Sequence, residues 1–218
     1  MQVLIVAATT KEITPFLDYY QENKHSLNAD ILISGIGLTA TAYHLAKQIN
    51  LKRPKLIIQA GLSGAFNKTL PPGAVVAVKQ DTIADESVVE LEKLKTIFDL
   101  KLVPQNQFPF KKGWLINPHT TLIKKTKLEA VKAVSVNQIS VSKQSIDFYR
   151  KKFDPAIESM EGAALHYVCL MENVPFIQLR CVSNNIGERN KKKWNMSESI
   201  SNLNNELIRF IDKFISNK

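Results

Sequence analysis

The sequence predicts an α/β fold, a single domain with a mainly parallel or mixed central sheet covered by helices. Three observations carry this expectation. Short, continuously apolar runs end in small or polar residues; glycine turns join such runs to helical patterns; and the last segment spaces its apolar residues for one long helix. With 218 residues the chain is long enough for one substantial core and does not require a second domain, so residues 1–218 read as one unit.

The first element is the apolar run Val3 to Ala8, a buried strand that leads through Thr9, Thr10 and Lys11 to Glu12, just beyond its carboxyl end. Asp30 to Ser34 is a second strand, followed by the turn Gly35-Ile36-Gly37 and a helix from Thr39. Those two glycines would let backbone N–H groups approach an anion or a ribose, and close chain packing explains them equally well. Lys55 to Ala60 is a third strand, with Gly61 to Phe66 read as a small-residue loop that a flat ligand can approach. After the turn Pro71-Pro72-Gly73 comes a strand over Ala74 to Val78. Residues 82–133 show no firm periodicity, and Val134 to Ser140 reads as a strand. From Met160 onward, Ala163, Ala164, Val168 and Met171 describe an amphipathic helix with Glu161 in its first turn. A carboxylate there complements the unpaired N–H groups of the helix start, which is also what an ordinary surface charge does. Phe176 to Asn185 is the next strand, closing on Ser183-Asn184-Asn185. Ile200, Leu203, Leu207, Ile208, Ile211 and Phe214 then space a long helix from Met196.

Composition narrows the function classes. No run approaches the roughly 20 apolar residues that cross a bilayer, and the first residues lack a basic leader, so a soluble cytoplasmic protein without membrane partners is expected. The formal net charge is +9, but the lysines fall in short groups scattered over different segments without interleaved aromatics. That pattern favours a solvated basic surface over nucleic-acid binding. Cys169 and Cys181 have neither metal-ligand spacing nor a disulfide framework and read as buried thiols. His44 and His166 lie on helical segments and read as structural, and Arg180, inside a strand, as the partner of buried acceptors or of a carboxylate near the site.

Open α/β sheets bind ligands outside the carboxyl ends of their strands. Glu12, Ser63, Gly64 and Asn184 all follow strands, and Glu161 begins a helix that can face them. These residues also carry a resemblance. Val6-Ala-Ala-Thr-Thr-Lys-Glu12, Ser34-Gly-Ile-Gly37, Gly61-Leu-Ser-Gly-Ala65, Glu158-Ser-Met-Glu-Gly-Ala-Ala164 and Arg180-Cys-Val-Ser-Asn-Asn185 together make the chain similar, nearly end to end, to the purine nucleoside phosphorylase and nucleosidase superfamily. The similarity is to the branch of methylthioadenosine/S-adenosylhomocysteine nucleosidases and futalosine hydrolases. Ser183 to Asn190, with Trp194 after it, looks most like the futalosine hydrolases.

The resemblance implies that Glu12 is the base orienting an attacking water, that Met160 and Glu161 hold the ribose, and that Ser63 and Gly64 lie near sugar and base. Asn184 stands where the adenine-releasing nucleosidases carry an aspartate. Cleavage leaves negative charge on the departing purine, which the site must stabilise. A protonated aspartic acid donates to N7 of adenine, whereas an asparagine amide donates to O6 of a 6-oxopurine and accepts from a protonated N7. Asn184 therefore favours hypoxanthine, the base of futalosine, although from local sequence alone an asparagine closing a turn is as good a reading. The early loop offers Glu12 where a phosphorylase needs arginine, so water is favoured over phosphate. Lys11 beside it weakens that distinction.

The implied activity is hydrolysis of futalosine to hypoxanthine and dehypoxanthine futalosine, a step in menaquinone biosynthesis, with no metal or organic cofactor. The superfamily's habit implies a homodimer. Arg189, Lys191, Lys192 and Lys193 are candidates to hold the aromatic carboxylate of futalosine, against a solvated charged loop. The base-stacking residue is not identified, and Trp194 reads more as a core anchor than as a cover for the site. Two alternatives remain: a methylthioadenosine/S-adenosylhomocysteine nucleosidase or purine nucleoside phosphorylase, and, outside the enzymes, a basic protein that binds nucleotides or nucleic acid.

Overall fold

The computed structural model describes residues 2–23, 27–66, 68–90, 93–188 and 194–216. Strand β1 (Val3–Ala7) alternates Val3, Ile5 and Ala7 toward one core and Leu4 and Val6 toward the other, so its continuous apolar run is buried on both faces. A 3-10 turn over Thr10–Ile13 leads into α1 (Thr14–Asn23), and β2 (Ala29–Ile33), α2 (Leu38–Leu51), β3 (Leu56–Ala65) and β4 (Val75–Asp81) follow. The aperiodic middle resolves into a hairpin of β5 (Ser87–Glu90) and β6 (Lys93–Thr96), a short β7 (Leu115–Ile116), α3 (Thr120–Thr126) and β8 (Glu129–Ser135). The chain ends with α4 (Lys143–Phe153), β9 (Ile157–Ser159), α5 (Gly162–Met171), β10 (Phe176–Asn185) and α6 (Met196–Ser216).

The main sheet is mixed, in the order β10-β4-β8-β9-β3-β1-β2, and β10 also pairs with β3, so five of its strands close into a ring. Pairs β1–β2, β1–β3, β3–β10, β4–β8 and β8–β9 are parallel, whereas β4–β10 and β3–β9 are antiparallel. On one face, Phe16 of α1 and Leu203, Leu207 and Phe210 of α6 pack on Ile5, Ile58 and Leu179. On the other, Leu45 and Ile49 of α2 and Leu165 of α5 pack on Leu4, Val6 and Ile57. The expected α/β architecture is thus the observed one.

Three local expectations are corrected. Gly61 to Ala65 is not a loop: β3 runs through it because β10 lies alongside, pairing Arg180 with Gly61 and Asn185 with Ala65. Its small residues make room for neighbours, since a Cβ on Gly61 would sit 2.3 Å from Arg180 Nη1 and one on Gly64 2.5 Å from Ile186 Cδ1. Strand β8 ends at Ser135, five residues before Ser140, because its partner β9 is only three residues long and leaves the later backbone unpaired. Helix α5 is not amphipathic; Gly162 to His166, Val168 and Cys169 are all buried, since α2 and the sheet enclose it.

Candidate active site

Glu12 is fixed from both sides of its peptide. Its Oε2 accepts from Thr9 N and Thr9 Oγ1, each at 3.0 Å, a reciprocal cap of the 3-10 turn, and its Oε1 accepts from Leu62 N at 3.1 Å. Asn204, buried on α6, donates to the Glu12 carbonyl at 2.9 Å and accepts from Phe16 N at 3.0 Å, locking the turn against the long helix.

Glu161 was expected in the first turn of α5; it is instead the N-cap residue, and it does not cap. Only 5 % exposed, it turns its Oε1 to Gly37 N at 3.1 Å and its Oε2 to Arg180 Nη1 at 3.3 Å. Gly37 is the N-cap of α2 with φ 92°, a conformation that strains any other residue, so the second glycine of the Gly35-Ile36-Gly37 turn presents its N–H to a protein carboxylate. Arg180, 1 % exposed, also donates to Gln59 Oε1 at 2.7 Å. Its charge is committed to Glu161 and the core, as the expectation of a carboxylate partner required.

Asn184 owes its position to a bulge. Val182 pairs with Ser63 and Asn184 with Gly64, so Ser183 is the extra residue that re-aims the chain. Ser183 Oγ donates to Asn184 Oδ1 at 2.8 Å and Asn184 Nδ2 donates to Asn185 O at 3.0 Å, which, among the described residues, leaves the amide one N–H and one lone pair.

These residues line one cleft of about 330 Å³, which Glu12, Ser63, Gly64, Met160, Glu161 and Asn184 share. Lys11 stands at its edge. Apolar walls come from Ile36, Leu62, Ile139, Ile186, Met196 and Ile200. Trp194 belongs to this wall rather than to the core, because its indole N–H is held by Glu188 O at 3.0 Å. Arg189, Lys191, Lys192 and Lys193 lie outside the described residues.

Two features were missed in the sequence. Ile139 supplies an apolar surface in the segment where no aromatic stands, and Glu158 anchors that segment from beneath. Glu158 accepts from Ser140 N at 3.0 Å and from Ser140 Oγ; burial raises its pKa, which the two Ser140 bonds partly offset. The repeated carboxylate of Glu158-Ser-Met-Glu161 is the signal, since an apolar position would have served a structural strand better.

Below the cleft lies a fully buried polar group. Asp81, at the end of β4, accepts from Thr82 N at 2.8 Å, Ser135 Oγ at 3.1 Å and Gln178 Nε2 at 3.2 Å. Burial raises its pKa to about 6 against these bonds and the nearby Arg180 charge. His166 donates from Nδ1 to Leu115 O at 2.9 Å, and burial lowers its pKa to about 4. His166 Nε2 and Gln178 Oε1 have no hydrogen-bond partner among the described residues. Cys169 and Cys181 are buried, unpaired thiols with pKa values raised by desolvation. Among the described residues no group of three or more His, Cys, Asp or Glu is placed to hold a metal, and no helix is long and apolar enough to cross a membrane.

A sheet whose strand ends gather two carboxylates and an amide into a largely apolar cleft is a small-molecule enzyme site in form, and comparison with known proteins agrees. The chain belongs to the phosphorylase superfamily, which it matches over residues 5–216. Within that superfamily its similarity is to nucleosidases, which are N-glycosyl hydrolases. It is 26 % identical over 171 residues to the 5'-methylthioadenosine/S-adenosylhomocysteine nucleosidase of Haemophilus ducreyi, covering 75 % of this chain and 70 % of that one. It shares its fold with the corresponding nucleosidase of Helicobacter pylori and with the futalosine hydrolase of the same organism, each at TM-score 0.81, 19 % identity and 98 % coverage of both chains.

Proposed function

We propose that the protein hydrolyses the N-glycosidic bond of futalosine, releasing hypoxanthine and dehypoxanthine futalosine for menaquinone biosynthesis. The observation that carries this reading is the Asn184 amide, held by Ser183 and Asn185 beside Ser63 and Gly64, in the same cleft as Glu12 and Glu161. A 6-oxopurine offers O6 as acceptor and, once a proton from solvent reaches N7 as the C1′–N9 bond breaks, N7–H as donor. The N–H and lone pair that Asn184 keeps among the described residues match that pair. Glu12, carrying three donors and no cation partner among the described residues, accepts a proton from water at the anomeric carbon while repelling phosphate. Glu161 accepts from the ribose hydroxyls with the Met160 backbone beside it, and Arg180 keeps its carboxylate charge tolerable in a buried place. The apolar walls, Ile139 among them, flank the base and the 5′ substituent.

The second reading, 5'-methylthioadenosine/S-adenosylhomocysteine cleavage, is favoured by the curated relative. Futalosine, inosine, methylthioadenosine and adenosylhomocysteine, each with and without phosphate, separate the two by the base released. Adenine as main product, or a phosphate requirement, overturns the proposal. A homodimer accompanies this reading: a groove of about 920 Å³ between α2, α5 and the segment around Phe108 is mostly apolar, with Asp85 and Glu86 on its lining and Phe108 and Tyr167 exposed in it. Light scattering that returns a monomer mass would refute it. The reading also places the enzyme in the cytoplasm, consistent with its two unpaired cysteines.

A further inference from the structure

We infer that Ser135 and Asp81, neither of which lines the cleft, are positioning residues that free the Glu161 carboxylate for ribose by capping α5 in its place. An N-cap side chain ordinarily accepts from the second or third amide of its own helix. Glu161 makes no such bond, although helix α5 starts at the next residue. Its first two amides are served from other strands instead: Gly162 N donates to Ser159 Oγ at 3.3 Å and Ala163 N to Ser135 Oγ at 2.8 Å.

The hydroxyl protons then run one way. Ser135 gives its proton to Asp81 Oδ1 at 3.1 Å, so the 3.3 Å contact between Ser135 and Ser159 is donated by Ser159. Each serine accepts from the helix and donates away from it, and the series ends on a carboxylate that only accepts. That carboxylate also puts negative charge under the helix start, where the unpaired N–H groups favour it. Space confirms the fit, because a Cβ on Gly162 would lie 2.2 Å from Asp81 Oδ2 and 2.1 Å from Gln178 Nε2. Glycine after Glu161 is therefore a condition for Asp81 to reach the helix.

Without this substitute cap, the side chain in the position that ordinarily takes the second amide of a helix is that of the N-cap Glu161, and a carboxylate drawn back to its own helix is withdrawn from Gly37, Arg180 and the cleft. The inference rests on the reading of Glu161 as the ribose acceptor, and its test separates the two. The ratio of kcat/KM for the best nucleoside of the panel above to that for its 2′-deoxy counterpart reports on Glu161. Glu161→Gln should lower that ratio at least tenfold. Ser135→Ala should lower it about tenfold by loss on the ribonucleoside, with the 2′-deoxy substrate within twofold. Asp81→Asn, which keeps an acceptor but loses the charge, should lower it about threefold. In the Glu161→Gln background Ser135→Ala should add nothing. An unchanged ratio in Glu161→Gln refutes the ribose reading, and the inference with it. An unchanged ratio in Ser135→Ala and Asp81→Asn, with Glu161→Gln affected, refutes the positioning alone. Equal losses on both substrates show a merely structural role and refute it too. Should Ser135→Ala not fold, Asp81→Asn decides.

Discussion

Replacing Asp81 by Asn should change how stability depends on pH in a way set by two buried groups. Burial raises Asp81 from 3.8 to about 6, so between those values the folded protein holds a proton that the unfolded chain has released. Stability from this group is fully present below the unfolded value and is lost as pH rises through about 6. His166 runs the other way. Burial lowers it from 6.5 to about 4, so the unfolded chain holds the extra proton and stability falls as pH drops through that window. The slopes, roughly 1.4 kcal/mol per pH unit each, are opposite and nearly cancel between about pH 4 and 6.

Asp81→Asn removes one of them. The stability of the variant minus that of the wild type should rise by roughly 3 kcal/mol from about pH 4 to about pH 6 and then level off, with the whole curve displaced downward by what the new amide loses against Gln178. Subtraction cancels every other titrating group. Urea unfolding at half-unit steps from pH 4 to 8 measures the difference curve. Above pH 6.5 the variant should be at least as stable as the wild type while being slower on ribonucleosides. A flat difference curve refutes the reasoning, because it means that Arg180 and the hydrogen bonds keep Asp81 ionised throughout.

Three further outcomes are expected. Glu12→Gln should reduce turnover by on the order of 10³ while isothermal titration still detects substrate, since the amide keeps the shape and cannot take a proton from water; near-normal turnover would remove Glu12 from the chemistry. Asn184→Asp should lower kcat/KM for a hypoxanthine nucleoside at least tenfold at pH 7.5, because an ionised carboxylate faces O6, and retention of full rate would deny the amide its part in recognition. Gly61→Ala puts a methyl 2.3 Å from Arg180 Nη1 and should separate that guanidinium from Glu161, costing about 3 kcal/mol and several degrees of Tm; an unchanged melting temperature by calorimetry would show that Arg180 has room to move.

The sequence by itself determined β1, β2, the first half of β3, β4, β10, the long C-terminal helix and the rim on which the candidate site gathers. Local pattern suffices there, because a strand buried on both faces must be continuously apolar and a helix must repeat its apolar residues every three to four positions. Glu12, Ser63 and Asn184 were legible for the same reason, as polar residues placed where apolar runs stop. What the tertiary structure decided depends on partners distant in the chain. Gly61 to Ala65 is strand and not loop only because β10 lies against it, and the Ser183 bulge exists only in register with Ser63 and Gly64. Glu161 looked like an ordinary first-turn charge; its freedom from capping follows from Ser135 and Asp81, 26 and 80 residues before it, and its neutralisation from Arg180 on the next strand. Trp194 and Ile139 became cleft walls, and Asp81 entered as a buried carboxylate, through packing that no periodicity records, because burial and hydrogen-bond partnership are properties of the folded neighbourhood.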